Sequence, residues 1–187
     1  MYNDILKRIE VLESKDAIRE LVSNYAESCD RQDLKALEKI FTEDAEFDSP
    51  NGMLKSKGRQ NILDMYLEVF KSRGPSFHWT HDVRVEMNSE NKDIANGVVY
   101  SHAETTRDGV VSLAAMRYDD EYAKEDGIWK FSKRVINFFL MANSRDIIVE
   151  KDDVNEIILA TSSTWLLYTS DAADEGVGVD LGGRRIM

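Results

Sequence analysis

From Phe77 to Phe139 the chain alternates between apolar and polar residues in long runs, Phe77 to Met87, Ile94 to Thr106, Val110 to Tyr122 and Ile128 to Phe139, separated by NSENKD, RDG and AKEDG. Alternation at period two, broken by short turns rich in Asn, Asp and Gly, predicts three or four long β-strands joined as hairpins. A sheet of that size must bury one face, and the residues before Pro75 supply the cover, because their apolar period is helical. Ile5, Leu6, Ile9 and Leu12 lead into a stripe through Ile18, Leu21, Val22, Tyr25 and Cys29. A second short helix follows Asp33, a plausible N-cap, and buries Leu34, Leu37, Ile40 and Phe41. AEFDSPNGM reads as a brief edge strand that turns at Pro50 to Gly52. In RQNILDMYLEVF, the residues Ile62, Met65, Tyr66, Val69 and Phe70 repeat at helical spacing until Gly74 and Pro75 end the helix. Helices grouped before hairpin strands imply an α+β layer fold, with the N-terminal helices packed on a curved, mostly antiparallel sheet.

The chain has 187 residues, 42% of them hydrophobic, enough for one domain with a substantial core. Its net charge of -11 makes phosphate backbones and anionic membranes poor partners. A single cysteine excludes an internal disulfide, and MYNDILKRIE lacks the blocks of a signal peptide, so the cytoplasm is the expected location. No apolar run is long enough to span a bilayer. The expected division is a domain over 1–145, an extension over 146–165 that is helix or strand, and a tail over 166–187. That tail holds four of the ten glycines and has no amphipathic period. Its segments LLYTSDAADE and VDLGGRRI resemble the translated ends of a transposon-type sequencing adapter, an expected read-through that would cut the natural chain off near Trp165.

Candidate chemistry gathers on the first long strand. At odd numbers it carries Phe77, Trp79, His81, Val83, Val85 and Met87, which puts His81 on the apolar face; at even numbers it carries His78, Thr80, Asp82, Arg84 and Glu86. A buried imidazole must satisfy its nitrogens, and Asp30, at the edge of the first helical stripe, is the expected partner, with Tyr25 as a second polar group. The same residues also allow a structural histidine, an Asp30 that caps a turn and a Tyr25 that belongs to the core. His78 and His81 point to opposite faces of a strand, so a metal site there is not expected. Cys29 has no basic neighbour to activate it. The expected pocket lining is Met65, Tyr66, Trp79, Val83, Val99, Met116 and Phe138, an apolar set that needs no metal or organic cofactor. Val98, Val110 and Ile136 are expected on the outer face of the sheet, available to a second subunit.

The opening AIRELVSNYAESCDRQDLKALEKIF, the strand FHWTHDVRV and the closing RYDDEYAKEDGIWKFSKRVI, with Asp126, Gly127, Trp129 and Lys130, resemble a SnoaL-like protein of the nuclear-transport-factor-2-like superfold over residues 10–140. The resemblance implies a cone-shaped α+β barrel. Within the family the motifs are similar to scytalone dehydratase and bile acid 7-alpha-dehydratase. The latter has a tyrosine, an aspartate five residues on and a strand histidine, which would correspond to Tyr25, Asp30 and His81. Cys29, Ser49, Thr105 and Phe138 depart from one or other pattern. What the resemblance implies is a lyase, isomerase or cyclase acting by acid/base chemistry next to a carbonyl on a steroid, polyketide or aromatic compound, in a homodimer or homotrimer. His81 would move the proton, Asp30 would hold it, and Tyr25 would stabilise the oxygen that gains charge. The other reading is a noncatalytic binding or assembly module of the same fold.

Overall fold

The structure, a computed structural model, describes residues 2–143, and beyond them the backbone of short strands between 148 and 186. Helix α1 (Tyr2–Asp30) is exposed over its first three turns and then buries Ile18, Leu21, Val22, Tyr25 and Cys29. A two-residue turn leads to α2 (Leu34–Ile40), where the Asp33 side chain accepts a hydrogen bond from the Ala36 amide at 3.0 Å, the N-cap its position predicted. The chain passes directly from α2 into β1 (Phe41–Asp48), so Phe41 opens a strand instead of closing a helix. After β2 (Lys55–Lys57) comes α3 (Arg59–Ser72), which buries Ile62, Leu63 and Tyr66.

Four long strands follow: β3 (Arg73–Met87), β4 (Ile94–Arg107), β5 (Val110–Glu125) and β6 (Ile128–Asn143). With β1 and β2 they make a six-stranded sheet in the order β2-β1-β6-β5-β4-β3, antiparallel except for the β1–β6 pair. The short segment read as an edge strand is therefore an inner one, parallel to β6. Tight turns at Asp108–Gly109 and Asp126–Gly127 have positive φ at both residues, the geometry that two-residue hairpins need and that Asp-Gly supplies. The aromatic core of Tyr25, Phe41, Phe47, Tyr66, Tyr118 and Phe131 fills the space between the helices and the inner face of the sheet.

The edge strand β3 begins four residues before the expected start and runs through Gly74 and Pro75. An edge tolerates the missing amide of proline. One extra residue of β3 is accommodated there, between the pairs Arg73–Arg107 and Ser76–Thr105, and another between His81–Tyr100 and Arg84–Val98. At the second bulge Asp82 has φ 52, a left-handed conformation that Asp adopts more readily than most residues. Each bulge reverses which parity faces the core.

Residues 142–187 form a separate unit in which β7 (Ile148–Glu150), β8 (Ile157–Thr161) and β9 (Thr164–Tyr168) pair antiparallel, and β10 (Gly178–Val179) pairs with β11 (Arg185–Ile186). The expected boundary at residue 145 and the foreign character of 166–187 lie outside the described residues. No helix among the described residues is long and apolar enough to cross a membrane.

Candidate active site

Because of the bulge at Asp82, the inward residues of β3 are Ser76, His78 and Thr80 on one side and Val85 on the other. His81 leaves the sheet on the outer face, with half of its side chain exposed. It stands 3.5 Å from His102 and 3.6 Å from the Asp82 carboxylate, and it does not meet Asp30. The partner of Asp30 is His78. Its Nδ1 lies 2.6 Å from Asp30 Oδ1, its backbone N–H donates to Oδ2 at 2.9 Å, and Ser76 Oγ donates to Oδ1 at 3.2 Å. Three contacts from one strand thus fix the carboxylate at the C-terminal end of α1. With Nδ1–H donated to Asp30, the neutral imidazole is held in the tautomer whose Nε2 carries a lone pair. Only 8% of the His78 side chain is exposed.

His78 forms part of the wall of an interior cavity of 230 Å³, shared with Tyr25, Cys29, Tyr66, Met116 and Phe138. Asp30 is absent from that wall, so the imidazole stands between the carboxylate and the hollow. A wider cleft of 530 Å³ reaches the same pair from outside, between α1 and the start of β3, but it is open to solvent and carries Glu27 and Arg31. The interior cavity is the less open of the two, with core side chains on its inner wall and the exposed Met53 and Met141 on its solvent side, so a ligand there is partly shielded from water.

Tyr25 and Tyr66 share a hydrogen bond of 2.6 Å between their hydroxyls. Two phenols hold two protons and this bond uses one; the other O–H has the Cys29 sulfur beside it and is the one a ligand in the cavity would have to draw away. Burial raises the pKa of both phenols and pushes the Cys29 thiol up to about 11, so all three groups stay protonated. The Tyr25 ring is held in turn by Arg134, whose guanidinium lies 4.1 Å from it, 4.2 Å from Tyr118 and 4.1 Å from Phe131. Arg134 is fully buried and forms a two-point ion pair with Asp120, Nε to Oδ1 at 2.8 Å and Nη2 to Oδ2 at 2.7 Å.

Of the residues expected to line a pocket, Tyr66, Met116 and Phe138 do so. Trp79, 54% exposed, stacks on His102 outside. Val83 and Met65 are part-buried against the core and Val99 is fully buried within it, all three outside the cavity wall. Ile136, expected on the outer face, faces the cavity. Among the described residues no group of three or more His, Cys, Asp or Glu is placed to hold a metal.

The SnoaL-like domain profile matches residues 10–135. The chain belongs to the SnoaL-like family. It is 31% identical over 130 residues to the gamma-hexachlorocyclohexane dehydrochlorinase of Sphingobium indicum, a match that covers 67% of this chain and 81% of that one. The crystal structure of a type 2 hexachlorocyclohexane dehydrochlorinase superposes with a TM-score of 0.69 at 25% identity, over 78% of this chain and 99% of the other. An NTF2-like protein with a cystatin-like fold from Novosphingobium aromaticivorans superposes with a TM-score of 0.60 at 20% identity, over 74% and 90%. That likeness bears on the fold alone, which is the α+β cone the motifs implied.

The Asp30 carboxyl gives a testable pH dependence. Burial by itself would raise its pKa, but the hydrogen bonds and charge of His78, with Ser76, outweigh it and hold the carboxyl below its ordinary value. A depressed folded-state value contributes stability above the unfolded pKa of ~3.9, and the contribution disappears as pH falls through the folded value. Urea midpoints of the wild type and Asp30→Asn should therefore differ at neutral pH and converge in acid. A difference that is constant with pH would show that the carboxylate charge contributes nothing.

Proposed function

We propose that this protein is an acid/base lyase that removes a proton from one carbon of a small hydrophobic molecule while a group departs from the neighbouring carbon. The observation that carries this reading is the 2.6 Å His78–Asp30 contact, which presents an oriented imidazole to a largely apolar cavity. Nε2 of His78 takes the proton. Asp30 favours the imidazolium that forms, and the spare hydroxyl proton of the Tyr25–Tyr66 pair stabilises the atom that gains negative charge. Water is the departing group suggested by the dehydratase-like motifs, and chloride the one suggested by the relatives named as dehydrochlorinases. Both need the same base; chloride leaves as the anion, whereas the hydroxyl leaves as water once the imidazolium passes it the proton that Nε2 took.

The cavity volume narrows the substrate class. At 230 Å³ it is smaller than the ~300–1,000 Å³ of typical ligand pockets, which favours compounds of one ring over the four-ring steroids that the sequence left open. Self-association is part of the proposal, supported by Phe77 and Trp79 on the outer face of the sheet. Light scattering at micromolar concentration should give a dimer or trimer.

The test incubates the protein with single-ring compounds that bear a hydroxyl or chlorine next to an acidic C–H, and follows loss of water or hydrogen chloride by mass spectrometry. Tyr25→Phe, which removes one proton of the phenol pair, should lower kcat by ~10-fold or more and leave KM nearly unchanged. Binding without loss of mass across the panel would favour the noncatalytic module.

A further inference from the structure

The protein carries 35 acidic residues against 24 basic ones, yet among the described residues no aspartate or glutamate lines the cavity. Its charged members are Arg73 and Arg107, with His78 as the remaining basic group. Arg73 opens β3 and Arg107 closes β4, and the two are directly opposite in register, so their side chains leave the same face of the sheet. Like charges in directly opposed positions destabilise a strand pair. Two other arginines of the sheet are paired with carboxylates, Arg117 with Asp119 and Arg134 with Asp120. Among the described residues Arg107 makes one side-chain hydrogen bond, from Nε to Ser72 Oγ at 3.0 Å, and the Arg73 side chain makes neither a hydrogen bond nor an ion pair. Two guanidinium groups in one wall, with no carboxylate among the described residues that line it, form a receptor for an anion supplied by the ligand.

We infer that the cavity takes carboxylate-bearing substrates, with Arg73 and Arg107 gripping the carboxylate while the apolar body of the ligand lies against Met116 and Phe138. Guanidinium groups suit this role because their planar fork matches the two oxygens of a carboxylate. The arginines position the ligand and take no part in proton transfer. The inference deepens the acid/base reading and rests on it for the reaction, but not for the binding preference.

Isothermal titration of the full chain with trans-cinnamate and with cinnamamide, which share shape and apolar body, separates the two. The acid should bind the wild type at least ~10-fold more tightly than the amide, as expected of a charge-assisted hydrogen bond. Added sodium chloride should weaken the acid more than the amide. Arg73→Met should remove most of the preference and Arg107→Met part of it, with the amide affinity unchanged. Equal binding of acid and amide, no detectable binding of the acid, or a preference that survives both substitutions together would overturn the inference. The salt and amide comparisons need only the wild type, so a variant that fails to fold does not remove the test. His78→Gln should retain the preference. If the wild type shows the preference while it turns over no compound, the acid/base reading alone has failed; if the wild type turns over neutral compounds without any preference, this inference alone has failed.

Discussion

His78→Ala should lower kcat/KM by ~100-fold to ~10,000-fold, the range for loss of a positioned general base, while His81→Ala should change it by no more than about twofold. The contrast follows from where the two imidazoles sit. His78 is held through Nδ1 by a carboxylate and lines the cavity, whereas His81 is half exposed on the opposite face. Asp30→Asn should produce an intermediate loss, because the amide preserves the contact with the His78 backbone but no longer stabilises the imidazolium. Circular dichroism must show each variant folded, since removing the His78 ring leaves Asp30 only Ser76 and one amide as partners. A large loss in His81→Ala with a small one in His78→Ala would reverse the assignment and would require a strand parity that the bulge at Asp82 forbids.

That parity marks where the sequence stops being legible. The hairpin strands, their Asp-Gly turns and the helical stripe of α3 can all be read because each depends on local period and on turn residues whose φ values are set by steric limits. Asp30 and Tyr25 can also be read as polar groups on a core helix. The histidine cannot, because counting by twos backward from Val85 and Val83 carries straight through a one-residue bulge whose only local trace is an aspartate at positive φ. Every inward residue before Asp82 is then displaced by one position, so Trp79 and His81 are read as pocket residues in place of His78. Arg134 is missed for a related reason, since a cation in WKFSKRVI looks like a surface residue. The sign of a buried cation lies in the neighbouring strand, where Asp120 interrupts the buried series Met116, Tyr118 and Tyr122. A carboxylate within such a series needs a buried partner. The facing of Arg73 depends likewise on the bulge at Gly74–Pro75, which no alternation count reveals.

Arg134→Met should destabilise the fold by about 3–5 kcal/mol, lowering the thermal midpoint by ~10 °C or more. Both side chains of the Arg134–Asp120 pair are fully buried, so removing the guanidinium strands a carboxylate with only the Tyr122 hydroxyl, which donates to it at 2.8 Å. Tyr122 can reach that carboxylate because Gly97 lies beneath its ring, where a Cβ would approach Tyr122 Cε2 to 2.7 Å. Replacing both charges, as in Arg134→Met with Asp120→Leu, should recover most of the lost stability, since the uncompensated charge is gone and apolar packing serves a buried site at least as well. Turnover should not recover with it. The guanidinium is one face of the support under the Tyr25 ring, and a flexible thioether does not hold that ring at a fixed distance from Tyr66. A double variant that regains both stability and turnover would show that the ion pair does nothing for the site. One that regains stability alone separates its two roles, anchoring β5 to β6 and aiming the phenol pair at the cavity.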